Sequence, residues 1–238
     1  MIVDRISMEQ ATLVRLATDL ARERVKARTS IVSVYLIGSV AAGERPLGDA
    51  TDLDLVLIDG DPPERQREVV PLTDSLVADL HTHTREAYRN PKALRVDPWR
   101  GPAMCEPIFL YDPTHFFELA QASARGQFHR PDHVIARARA FLDLARTQLR
   151  VDSFKPGVAP RAPVSVEAFC LALLNAANAA ITLTGFPGAG RRLLLKLESA
   201  STRLGGTNLY DAFNGVFGVQ TVSADEARRW VAEWAATY

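Results

Sequence analysis

Cysteine is almost absent. The 238-residue chain holds two, Cys105 and Cys170, in no CxxC or Cys/His spacing. That argues against a disulfide scaffold and a structural zinc site, and points to reduced thiols in a cytoplasmic setting. Net charge is missing too, with 28 Lys plus Arg against 28 Asp plus Glu. A broad electrostatic grip on nucleic acid or anionic lipid is therefore not expected. The first 30 residues show neither the unbroken apolar core nor the cleavage site of a leader. One uncharged stretch, 168–183, is interrupted by Asn175, Asn178 and Thr182 and is short for a membrane span. It reads as a buried helix whose alanines let a neighbouring helix, or the second subunit of a homodimer, approach closely. Internal repeats and low-complexity tracts are also lacking. What remains is a globular composition, 47% hydrophobic and 24% charged, long enough for one large domain or two small ones.

The pattern along the chain predicts an α+β protein. Ser7 can cap a first helix, with Gln10 three residues later as in a capping box. Leu13, Leu16, Ala17, Leu20 and Val25 mark the apolar face of that helix. Strands are expected over 31–37, 52–58, 76–82 and 107–111. A short helix is expected over 64–70, ended by Pro71. Residues 85–106 read as irregular. Beyond residue 114 the strand signal vanishes, and helices are expected over 114–124, 132–151, 165–184, 190–204 and 223–236. Gly185 is placed to end the third of these, and Ser223 with Glu226 forms a capping box for the last. Gly126 and Pro131 break the pattern. The expected division is a domain over 1–127, with a small mixed sheet flanked by helices, and an all-helical domain over 128–238.

Residues 36–58, LIGSVAAGERPLGDATDLDLVLI, carry the chemical signal. A buried strand delivers a Gly38-Ser39 turn, and a second strand then opens with Asp52-Leu53-Asp54. Carboxylates at i and i+2 of a strand share a face, about 7 Å apart along the chain. They repel unless a cation lies between them, and Mg²⁺ takes such places with one or two carboxylates plus substrate phosphates. Gly38 has no Cβ to keep a phosphate away, and the Ser39 hydroxyl and nearby backbone N–H groups can donate to phosphate oxygens. Asp79, flanked by Val77, Ala78 and Leu80, needs a partner for its charge. A metal shared with Asp52 and Asp54 would supply one.

Gly-Ser, a short loop, Asp-x-Asp and a later lone Asp on a strand resemble the polymerase-β-type nucleotidyltransferase superfamily, in its small-molecule (aminoglycoside-type) or minimal branch. The resemblance covers roughly residues 10–120. It implies a nucleotidyltransferase domain in which Gly38 and Ser39 hold phosphates. Asp52, Asp54 and Asp79 are then the catalytic carboxylates and ligands of two Mg²⁺ ions. The implied reaction moves a nucleoside monophosphate, AMP from ATP, to a hydroxyl of a small-molecule acceptor. The family often has Arg in the turn after Gly-Ser, where this chain has Ala41-Ala42, and Ser before the first Asp, where it has Thr51. Arg45 is one candidate to replace the missing arginine.

The resemblance also implies that the helical half shapes the acceptor site, with Glu167, Arg191, Arg192 and Lys196 as further candidates. Each has a plainer reading as a first-turn carboxylate or a solvated basic face. His81 and His83 share the Asp79 face, with no third soft ligand at a zinc-binding spacing. Trp230, Trp234 and Tyr238 form one stripe of the last helix, which suits packing. The alternative to an enzyme is a non-catalytic nucleotide-binding or antitoxin-like regulatory protein of the same fold.

Overall fold

The computed structural model describes residues 9–44, 51–149, 165–218 and 221–237. Ser7, Arg45 and Tyr238 lie outside them. The chain is α+β, with one five-stranded mixed sheet and, after Tyr111, only helices among the described residues. Two compact units are distinguishable, Met1–Arg137 and Ala138–Tyr238. The division falls ten residues later than the composition suggested, within a helix. The reason is Arg137, whose buried guanidinium donates to the carbonyls of Arg95 at 2.6 Å and Phe128 at 3.0 Å and stacks 3.6 Å from the Phe128 ring. The start of that helix is thereby tied to the first unit.

In the first unit the strands are β1 (Ile31–Ile37), β2 (Thr51–Asp59), β3 (Arg67–Thr73), β4 (Leu76–Thr84) and β5 (Ile108–Tyr111). Their order across the sheet is β3-β4-β2-β1-β5. β2 and β4 run parallel because β3 carries the chain back along the edge before a tight turn at Asp74-Ser75 feeds β4 between them. The helix expected over 64–70 is therefore wrong: those residues lead into an exposed edge strand. An edge strand accepts Pro71, since one of its sides has no ladder to feed.

Alternation along the strands sorts the core into two layers. Leu53, Leu55, Leu57, Ala78, Leu80, Val34 and Leu36 face helix α1 (Gln10–Ala27), which buries Leu13, Ala17, Leu20 and Ala21 against them. Each fully buried leucine contributes about 1.5–3 kcal/mol. Tyr35, Val56 and Ile58 face the other way, onto Tyr88, Leu94, Met104, Phe117, Ala120 and Ala124. Those residues come from a 3₁₀ turn at Arg85–Tyr88, from α5 (Phe116–Arg125), and from short helices in a region expected to be irregular. After α2 (Gly38–Ala41), these short helices are α3 (Pro91–Val96) and α4 (Arg100–Ala103). α3 has Pro91 in its first turn and the Asn90 side chain as its cap. That combination starts a helix rather than breaking one.

The remaining helices are α6 (Pro131–Leu149), α7 (Val166–Thr182), α8 (Leu193–Arg203), α9 (Thr207–Val216) and α10 (Ala224–Thr237). α9 was not expected. In the second unit α7, α8 and α9 pack around Ala177, Ile181, Leu197 and Ala200, with Tyr210 and Phe213 against them. Asn178, one of the two asparagines that interrupt α7, donates to the Gly188 carbonyl at 2.9 Å and accepts from its N–H at 2.8 Å. The Ser223–Glu226 capping box forms as expected. Among the described residues no helix is long and apolar enough to cross a membrane.

Candidate active site

β1 ends at Ile37 and the chain turns at Gly38 with φ +76°, a conformation that side chains with a Cβ rarely adopt. A Cβ built there would lie 2.0 Å from the Asp54 carboxylate oxygen Oδ2. Glycine at this position is therefore required twice, by backbone shape and by the neighbour it meets. The turn is held from three sides. The Gly38 carbonyl accepts from Ala42 N–H at 3.1 Å and that of Ser39 from Glu44 N–H at 2.9 Å. The Gln10 amide of α1 donates to the Val40 carbonyl at 2.7 Å. Gln10 thus serves the turn, and Glu9 stands at the N-cap of α1. Ser39 is half-buried in the first turn of α2.

Sheet register brings the expected carboxylates to one face. Ile37 and Asp79 lie opposite Asp54 on the two flanking strands. Asp52 lies one pleat earlier on β2. Burial pushes the Asp54 carboxyl up to about 7, and the nearby charges of Asp52 and then Asp79 push it in the same direction. Asp79 shifts the other way. Arg67, on β3, grips it with two nitrogens: Nη2 donates to Oδ2 at 2.7 Å and Nε to Oδ1 at 2.9 Å. These hydrogen bonds hold Asp79 below the usual carboxylate range. His81 Nε2 lies 3.4 Å from Asp79 Oδ1.

The donor set suits a hard divalent cation: three oxygen-bearing side chains on one face, two of which repel a third that is already short of water. As the side chains stand, however, no group of three His, Cys, Asp or Glu residues is arranged to hold a metal among the described residues. The Asp79 carboxylate is turned to Arg67. Asp52 and Asp54 form the acidic pair, and the third carboxylate is engaged elsewhere.

Beyond the carboxylates on the same sheet face lies a buried polar chain. Tyr35 and Tyr88 hydroxyls are 2.6 Å apart, and the Tyr88 hydroxyl is 2.6 Å from His83 Nδ1. Burial lowers His83 to about 4 and raises both tyrosines. His81 and His83 therefore separate in role: one leans on Asp79, the other on Tyr88.

Of the expected residues, Gly38, Asp52, Asp54 and Asp79 meet around one end of β2 and β4, with Ser39 beside Gly38. Lys196, in the second unit, donates to the Pro187 carbonyl at 3.2 Å. Glu167 is exposed in the first turn of α7, which Ser165 caps. The side chains of Arg191 and Trp234 lie outside the described residues. Sequence reasoning missed Arg67, Tyr35 and Tyr88. For Arg67 a signal existed: a hairpin turn at Asp74-Ser75 folds Arg67 and Val69 onto His81 and Asp79.

Fold and site together define an α+β domain with an acidic face beside a glycine turn. No family model matches the chain, and no curated protein matches it.

Proposed function

We propose that the protein is a Mg²⁺-dependent nucleotidyltransferase of the polymerase-β type, moving AMP from ATP to a hydroxyl of a small-molecule acceptor. The observation that carries this reading is the contact between the Gly38 turn and Asp54, with Asp52 on the same strand face and Asp79 in register beside it. With no side chain on Gly38, the turn presents bare backbone beside the carboxylate pair, the kind of surface that a phosphate chain can approach.

In this reading Gly38 and Ser39 receive the β and γ phosphates, and Asp52, Asp54 and Asp79 hold Mg²⁺. The bound metal neutralises the triphosphate and lowers the cost of charge on the leaving pyrophosphate. Asp54 needs that cation most, since its carboxyl resists ionisation where it stands. Asp79 lies on the strand beside Asp54, and in this reading it would bind the metal or take the acceptor hydroxyl's proton once Arg67 releases it. Phosphoryl chemistry of this kind asks the protein for positioning and charge, which a rigid sheet face supplies.

The test is calorimetric binding of ATP with and without Mg²⁺, paired with transfer of label from α-phosphate-labelled ATP to a panel of hydroxyl-bearing small molecules. Magnesium-dependent binding with transfer, lost in Asp52→Asn and Asp54→Asn, supports the reading. No ATP binding overturns it. A second reading has one observation behind it: the Arg67 clamp on Asp79 gives that carboxylate a counterion without any metal. Binding of ATP that needs no Mg²⁺, with no transfer, is the outcome that would favour a non-catalytic nucleotide-binding regulator.

A further inference from the structure

We infer that Arg67 is a built-in competitor of the metal, occupying the third carboxylate until a divalent cation displaces it. This rests on the proposed metal-binding role of Asp52, Asp54 and Asp79. Three features of the structure lead to it. The guanidinium holds both Asp79 oxygens in a two-pronged pair, so that carboxylate cannot offer a free edge to an ion while the clamp is closed. The clamp is one-sided in exposure: Arg67 is 64% exposed and Asp79 15%. Release therefore moves a solvated side chain on an edge strand, while the carboxylate stays on its rigid inner strand. Finally, Arg67 stands two residues before the Val69 that faces Asp79 in the β3–β4 register. It reaches the carboxylate diagonally across the hairpin and can swing off without breaking a backbone bond.

The consequence is an exchange. With the clamp closed, Asp79 is held by Arg67 and withheld from the site. With the clamp open, Asp79 can join Asp52 and Asp54 on the same sheet face. Metal affinity is then set partly by a residue that binds no metal.

Direct Mn²⁺ binding to the full chain, read from free-ion electron paramagnetic resonance without nucleotide, tests this. Arg67→Gln is expected to bind Mn²⁺ about three- to fivefold more tightly than the unaltered chain, the range of a well-formed exposed ion pair. Arg67→Lys, which keeps the charge and loses the fork, is expected to fall between them. The gain should vanish in Arg67→Gln/Asp79→Asn. Thermal melts by circular dichroism confirm that each variant is folded. Equal affinity in Arg67→Gln and the unaltered chain overturns the clamp and leaves the metal site standing. A gain that persists in the double variant also overturns it, because charge alone would then explain the effect. Absence of Mn²⁺ binding in every variant overturns the metal reading itself, and the clamp with it.

Discussion

Gly38 and Asp54 share a space that a single methyl group would fill: the Gly38 backbone leaves 2.0 Å between an ideal Cβ and Asp54 Oδ2. Gly38→Ala must therefore strain a left-handed backbone, at about 1–2 kcal/mol, and push the carboxylate off its strand position. The expected outcome is a fall in denaturant midpoint together with loss of Mg²⁺-dependent ATP binding. Gly43 is the control. Its φ is +65°, yet a Cβ there meets only the flexible Gln10 side chain at 3.4 Å. Gly43→Ala should show the stability loss and retain the binding.

Asp54 makes the metal-free protein less stable as pH rises. Its carboxyl is near 7 in the folded chain against an ordinary 3.8, so the folded state holds this proton more tightly than the unfolded state does. Stability from this group is present in full below about pH 4 and is lost as pH rises through about 7. In chelator at pH 8, Asp54→Asn is expected to be more stable than the unaltered chain. The gain is on the order of 2–4 kcal/mol, or roughly 5–10 °C in Tm. At pH 4 the difference should shrink toward zero. A melting series across that range decides it, and an Asp54→Asn protein no more stable at pH 8 would remove the basis for a strained carboxylate.

His83 slopes the opposite way. Its imidazole is held near 4, below its ordinary 6.5, chiefly by burial. The unfolded chain therefore takes up the proton first, and stability is lost as pH falls from about 6.5 toward 4. With the ring partly exposed, the expected effect is modest, on the order of 1–2 kcal/mol. The two windows overlap with opposite sign, so His83→Gln should leave a steeper fall in Tm as pH rises between about 4 and 7, and Asp54→Asn should expose the His83 rise in that same range.

Tyr35, Tyr88 and His83 should behave as one unit. A neutral His83 can accept at Nδ1 from the Tyr88 hydroxyl, which leaves the Tyr88 oxygen to accept from Tyr35. Tyr88→Phe strands a fully buried Tyr35 hydroxyl, at about 1–3 kcal/mol. Tyr35→Phe/Tyr88→Phe should cost less than the two single changes added together. Chemical denaturation of the four proteins measures the coupling.

Much of this was written in local sequence. β1, β2, β4 and β5 were readable as short apolar or alternating runs, and i, i+2 spacing put Asp52 and Asp54 on one face. What could not be read was decided by neighbours distant in sequence. Pro71 looked like the end of a helix because a single sequence does not say which strand will be an edge. Pro91 looked like a loop residue, although with Asn90 as its cap it opens a helix. α9 was hidden by Gly205 and Gly206 before it and Gly215 within it. Arg137 gave no sign of burial, since its partners are two carbonyls and a ring brought by other elements. Arg67 is the main omission at the site, and it followed directly from the misread strand.

That same strand has a consequence for how copies of the chain meet. β3 borders solvent with Val69 54% exposed, and an unpaired strand edge is a template onto which another molecule can add its own strand. Pro71 interrupts that template, and stacking of identical edges would have to strip water from the exposed charged side chains of Arg67 and Glu68. A Pro71→Val chain should fold to the same sheet and yet scatter light on concentration, as neighbouring molecules find an edge left open to them.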